Sequence, residues 1–308
     1  MIYTLTLNPS IDYVMELDEL TIGGLNRTNK VEVLPGGKGI NVTQVLNRLG
    51  VPSTALGFIG GFTGAYIKSY LKQQNIPTDF VEINENTRIN VKIKSTTETE
   101  INANGPSILP EHYEDLKNQI HHLTANDTLV LSGSIPSSLP HSTYKELVEI
   151  CSHNSIRFVV DAEGDYLKNI LSFKPFLIKP NHHELGQLFH TKITTIEEVM
   201  PYAQELVNMG AQNVIVSLAG DGAVFANHHS IYVATVPKGE VKSSVGAGDS
   251  MVAGFLATYE QTNSVEEAFR FSVASGSATA FSIGLCTREN VEHLLPQVIL
   301  DKKSGKGD

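Results

Sequence analysis

Short apolar runs and helix-spaced segments alternate along most of this chain. The runs at 2–7, 54–59, 128–133, 156–161, 176–179 and 213–218 have the length and content of buried strands. Apolar positions at helical spacing fill 40–49, 64–74, 141–153 and 163–171. Strand and helix in turn predict βα units on a parallel sheet covered on both faces, an α/β doubly wound core. From 248 the rhythm changes to helix after helix, at 248–260, 265–282 and near 288–296. The polar end from Lys302 to Asp308 is expected to fray.

Two segments, 12–34 and 88–104, break the rhythm, because polar and apolar residues alternate there with no helix between them. Ile89, Val91 and Ile93 alternate with Asn90, Lys92 and Lys94, and Val31 and Val33 flank Glu32. Such strands have one apolar and one wet face, so a small antiparallel sheet is expected outside the core, placed to act as a lid over a cleft. The division expected is a core of 1–11, 35–87 and 105–308 with a β-sheet lid of 12–34 and 88–104. The lid's apolar face needs cover, and a homodimer through the lid would provide it.

Composition narrows the classes. The chain has 308 residues, 41% of them hydrophobic, enough for a substantial core. No apolar run approaches the roughly 20 residues of a membrane helix. Residues 2–7 read as a first strand and not as a leader peptide. Two distant cysteines, Cys151 and Cys286, form neither a disulfide framework nor a zinc spacing, which fits a cytoplasmic enzyme. A net charge of −10 argues against nucleic acid as a partner. Anionic substrates would therefore need locally gathered cations.

The chemistry-bearing motifs lie at element boundaries. Gly246-Ala247-Gly248-Asp249 runs into the apolar helix from Met251. Small residues at a helix start leave backbone N–H groups free to face an anion, and a phosphoryl group in transfer is such an anion. Asp249 stands where it can take a proton from an attacking hydroxyl, although a helix cap would use the same residues. Asn181 and Glu184 follow the strand ending Lys179-Pro180 and, three apart, can offer oxygens to a hydrated magnesium ion or form a capping box. Ser217 and the amides of Gly220 and Gly222 close another strand, in a turn that suits a phosphate tail. Near the N-terminus, Asp12 and the loop Gly36-Gly37-Lys38-Gly39-Ile40-Asn41 offer close backbone approach and polar groups for a polyol. Neither a Walker loop nor a dinucleotide fingerprint is present. The pairs His121-His122, His182-His183 and His228-His229 lack a third ligand at metal spacing and read as surface or structural, and Cys286 reads as a buried small residue.

Taken in order, Asn8-Pro9-Ser10-Ile11-Asp12, Gly36-Gly37-Lys38-Gly39-Ile40-Asn41, Thr87-Arg88-Ile89-Asn90, Ser132-Gly133-Ser134, Lys179-Pro180-Asn181 and Gly246-Ala247-Gly248-Asp249 resemble a PfkB-type carbohydrate kinase over the whole chain. The resemblance implies a ribokinase-like three-layer α/β/α core with a β lid, and transfer of the ATP γ-phosphate to a primary hydroxyl with magnesium. It makes Asp249 the base and Gly246, Ala247 and Gly248 the anion hole. Asp12, Gly37 and Asn41 fall on the sugar. Lys179, Asn181, Ser217, Gly220, Gly222 and Gly248 fall on ATP, with Glu184 and Asn181 near the metal through water. Arg27, Lys38 and Arg88 are expected to hold a substrate phosphate, and Ser134 is expected to bind the substrate. Subfamily segments such as Gly57–Gly64 and Thr97–Asn102 favour fructose 1-phosphate as acceptor over tagatose 6-phosphate or fructose 6-phosphate. A non-catalytic sugar-phosphate sensor and a nicotinamide-dependent dehydrogenase are the readings from other classes.

Overall fold

The structure, a computed structural model, describes residues 1–162 and 166–303. In chain order, β1 (Ile2–Thr6) leads into β2 (Ser10–Glu16) and β3 (Lys30–Gly36). Then come α1 (Lys38–Arg48), β4 (Ser53–Gly60), α2 (Gly61–Gln73), β5 (Thr78–Ile83), β6 (Arg88–Lys94) and β7 (Glu98–Asn102). The middle of the chain supplies α3 (Pro110–His121), β8 (Thr128–Ser132), α4 (Thr143–His153), β9 (Arg157–Asp161), α5 (Tyr166–Ile170) and β10 (Leu177–Ile178). It continues with α6 (His182–Leu188), α7 (Ile196–Asn208), β11 (Asn213–Ser217), β12 (Ala223–Asn227) and β13 (Ile231–Ala234). The chain finishes with α8 (Ala247–Thr262), α9 (Val265–Ala280), α10 (Arg288–Leu294) and β14 (Leu300–Lys303).

Ten strands form one sheet in the order β14-β13-β12-β11-β10-β9-β8-β1-β4-β5. From β11 through β5 every pair is parallel, and β12 to β14 add an antiparallel margin. Alternation along the central strands explains the layers. Leu129 and Leu131 of β8 and Phe158 and Val160 of β9 join one core, with side chains of α3, α4 and α7. Val130 and Val159, between them, join the opposite core with α1, α8 and α9. The result is the three-layer α/β/α arrangement the strand pattern implies. The chain leaves β1 toward β4 on one side and later fills β8 on the other, so the strand order reverses beside β1. Loops at the carboxyl ends part there and leave a crevice.

The remaining strands form a separate sheet in the order β3-β2-β6-β7. Its two outer pairs are antiparallel as expected, but β2 and β6 run parallel, so the sheet is mixed. A whole βα excursion separates β2 from β6 in sequence, and alternation alone carries no information about direction. Of the end expected to fray, Lys302 and Lys303 are held in β14 against Tyr232 and Ile231 of β13, and 304–308 lie outside the described residues. Of the expected helix at 163–171, residues 163–165 lie outside the described residues. The rest forms α5 and a short 3-10 turn.

Candidate active site

A single cavity of about 1160 Å³ runs along the carboxyl ends of the core strands and under the lid. Its lining includes Asp12, Gly37, Lys38, Asn41, Arg88 and Ser134 at one arm, and Lys179, Asn181, Glu184, Ser217, Gly220 and Gly222 at the other. Gly246, Ala247, Gly248 and Asp249 line it too, so residues far apart in sequence are brought to one place.

The centre is built by two helix N-termini. Gly37, at φ +116, starts α1, and Gly246, in the left-handed region at φ +78, starts α8. Asn41 on the first turn of α1 donates from Nδ2 to Asp249 Oδ2 on the first turn of α8, at 2.8 Å. Gly248 and Asp249 make no backbone hydrogen bond through their amides among those described, as the first turn of a helix dictates. A Cβ at Gly248 would stand 2.8 Å from Lys179 Nζ, so the glycine keeps the ammonium next to these amides. Asp249 is buried, and burial first, then the nearby Asp161 carboxylate, pushes its carboxyl up to about 6 against the opposing pull of Asn41, Lys38 and Lys179. A carboxyl so placed is a base near neutral pH.

Asp161, at the end of β9, lines the cavity and was not singled out from the sequence. Its Oδ1 lies 3.5 Å from Lys38 Nζ and 3.6 Å from Lys179 Nζ. Burial alone would raise its carboxyl, but Lys179 and Lys38 hold it below the usual carboxylate range. Lys38 is thus drawn toward the centre of the cavity.

Under the lid, Asp12 accepts from Ser10 Oγ at 2.7 Å and Asn90 Nδ2 at 3.2 Å, and pairs with Lys92 at 3.2 Å. Arg88 donates to the carbonyls of Ala103 and Asn8, each at 3.0 Å, tying the lid to the core, while its buried Nε has no partner among the described residues. Asn8 Nδ2 donates to Ser134 Oγ at 3.4 Å. Arg27 is exposed in the loop between β2 and β3, and the structure does not bring it to the cavity of its own chain.

At the other arm the capping-box reading of Asn181 and Glu184 is visible. Asn181 caps α6, with a reciprocal capping box of 2.9 and 2.7 Å, and Glu184 still lines the cavity. Burial and the Asp161 charge raise the Glu184 carboxyl. Gly222, at φ +120, would press a Cβ to 2.4 Å from the Ala234 carbonyl, which fixes the turn after β11. His182 and His183 also line the cavity with ring centroids 3.8 Å apart, whereas His121, His122, His228 and His229 are exposed. Cys286 is buried. Among the described residues, no helix is long and apolar enough to cross a membrane.

A buried carboxylate at a helix N-terminus, flanked by free amides and lysines in a two-armed cavity, is the equipment of a phosphotransferase acting on a hydroxyl. The model of the pfkB family of carbohydrate kinases matches residues 5–291, and the chain belongs to that family. It is 53% identical to a 1-phosphofructokinase of Bacillus subtilis over 97% of this chain and 98% of that one. It is 45% identical to a 1-phosphofructokinase of Borreliella burgdorferi, over 97% of each. Phosphofructokinase-2 of Escherichia coli, solved in complex with substrates and products, superposes with a TM-score of 0.92 at 32% identity, over 96% of this chain and 98% of that one.

Proposed function

We propose that the chain transfers the γ-phosphate of ATP to the 6-hydroxyl of D-fructose 1-phosphate, giving fructose 1,6-bisphosphate and ADP. The observation that carries this reading is the place of Asp249, buried, held by Asn41 and set between the two arms of one cavity. Asp249 takes the proton of the attacking hydroxyl while the amides of Gly248 and Asp249 face the transferring phosphoryl group. Lys38 and Lys179, paired to Asp161, offset the charge that grows there. The sugar phosphate lies in the lid arm, with Asp12, Gly37 and Asn41 at its hydroxyls and Arg88 and Ser134 at its phosphate. ATP lies in the other arm, along Asn181, Ser217, Gly220 and Gly222. The names of the Bacillus subtilis and Borreliella burgdorferi relatives support fructose 1-phosphate as the acceptor.

The carboxylates fit a magnesium ion. Asp161 and Glu184 line the same cavity, and the cost that each imposes on the other is one a divalent cation removes. Among the described residues no three His, Cys, Asp or Glu side chains cluster as a metal cage. Glu184 and Asp161 would hold it, with Asn181 reached through water. When bound, it neutralises charge on the β- and γ-phosphate oxygens.

Release of ADP measured with fructose 1-phosphate, fructose 6-phosphate, tagatose 6-phosphate and ribose tests the assignment. The expected kcat/KM for fructose 1-phosphate exceeds each of the others by at least about tenfold. A hexose 6-phosphate that matches it overturns the acceptor, and no ADP with any sugar would favour the sensor. Arg88→Ala is expected to lower kcat/KM for fructose 1-phosphate by about 10² or more, through loss of a charged phosphate contact, and to affect free fructose far less. Equal losses would remove Arg88 from the phosphate site.

A homodimer through the lid is supported by the register of its strands. Tyr13, Val33, Val91 and Ile101 lie in one row across the sheet, and Met15, Val31 and Ile93 lie in another, on the face away from the cavity. Ile101, Val31 and Ile89 are exposed there. A sedimentation mass of one chain, 33.5 kDa, at micromolar concentration would refute the dimer. Use of ATP and two buried free thiols support a cytoplasmic location.

A further inference from the structure

Lys92 lies on the cavity side of β6 and is only 8% exposed. Its ammonium is 3.2 Å from Asp12 Oδ2 and 3.8 Å from Glu100 Oε1. The strand register explains both contacts. Lys92 stands opposite Glu100 across β6 and β7, and Asn90, two residues earlier on the same face, stands opposite Asp12 across β2 and β6. A buried ammonium is costly unless paired, and here it is paired with the carboxylate that faces the sugar arm. Asp12 is thereby fixed on both oxygens, by Ser10 and Asn90 on Oδ1 and by Lys92 on Oδ2.

We propose that Lys92 is a positioning residue for Asp12, and that through Asp12 it sets the selectivity of the sugar arm among ketohexose phosphates that differ in the configuration of one ring hydroxyl. Epimers have the same size and charge, so a pocket separates them by whether its acceptor sits where the hydroxyl points. A carboxylate anchored on both oxygens cannot follow a hydroxyl to its new position. One anchored on Oδ1 alone can pivot about that oxygen and meet either epimer, though each less well. The inference rests on the reading that the lid arm takes the sugar phosphate.

The test compares wild type with Lys92→Met and Lys92→Gln, using fructose 1-phosphate, its C4 epimer tagatose 1-phosphate, and ATP as varied substrates. KM for fructose 1-phosphate is expected to rise by about 30-fold in both variants, with kcat and the KM for ATP within about twofold of wild type. The preference for fructose 1-phosphate over tagatose 1-phosphate is expected to narrow by at least about fivefold. If kcat/KM falls by the same factor for both sugars, the role is structural and the proposal is overturned, whatever the melting temperature does. Should the Met variant fail to fold, the Gln variant decides. A wild type inactive on both sugars but active on fructose 6-phosphate overturns the acceptor assignment alone. The preference between fructose 6-phosphate and tagatose 6-phosphate, also C4 epimers, then decides the role of Lys92 by the same criterion.

Discussion

Asp249→Asn is expected to lower turnover by about 10² to 10⁴ while leaving ATP affinity nearly intact, because the variant keeps the shape of the site and loses the proton acceptor. Two further readouts tie this loss to the carboxylate. In the wild type, kcat/KM should fall as pH drops through about 6, where the buried carboxyl takes up its proton and ceases to be a base. The variant's residual activity should lack that limb. The linkage to stability has a definite sign. The folded-state carboxyl lies above its unfolded value, so ionising it weakens the fold progressively as pH rises from about 4 to about 6, and the full cost stands above that range. A shift of this size corresponds to about 3 kcal/mol, so Asp249→Asn should melt several degrees higher than wild type at pH 7.5. Near-normal turnover, or an unchanged acid limb in the variant, would remove Asp249 from the chemistry.

Asp161→Asn is expected to act in the opposite sense on stability. Lys179, 6% exposed, would be left in the interior without its carboxylate, a change that costs about 3 to 5 kcal/mol when one partner of a buried pair is removed. Turnover should fall by about 10² or more, because Lys38 and Lys179 are no longer aimed at the transferring group. The sharper signature concerns pH. Asp161 is one of the causes that push the Asp249 carboxyl up, so its neutralisation should move the acid limb of kcat/KM below about 6. An acid limb that stays in place would mean that the two carboxyls do not sense one another. Thermal unfolding and a pH profile on the same protein separate these effects.

The glycine turn at Gly246 was legible because its parts are contiguous: small residues, an acid and an apolar helix follow one another in sequence. Asn41 was legible as a sugar-loop residue, but its bond to Asp249 joins positions 208 apart and leaves no local trace. Asp161 ends the run Phe158-Val159-Val160 as a single aspartate, with no spacing that marks it. The available signal was its place, a charge at the carboxyl end of a parallel strand, where open α/β sheets bind ligands. The alternation in 88–94 correctly separates the two faces of β6. What it hides is that the polar face is turned to the cavity, so Asn90 and Lys92 are buried and Ile89 is exposed. Arg27 was taken from the resemblance, and it does not line the cavity of its own chain. The turn at Gly220 to Gly222 also fits an ordinary hairpin, and β11 and β12 form one, whereas the βα rhythm gave no hint of β13.

The margins of the large sheet carry a consequence for crowded solution. Its two outermost strands, β5 and β14, bear Asp79 and Glu82 on one side and Asp301, Lys302 and Lys303 on the other, all exposed but Lys303, which is partly so. A second molecule that tried to extend the hydrogen-bonded ladder would bring these charges together before any apolar surface met. Exposed charges at both rims thus disfavour extension of the ladder by another molecule. A dimer through the lid, as proposed above, would leave both rims free and make assembly and the sugar arm share the same small sheet.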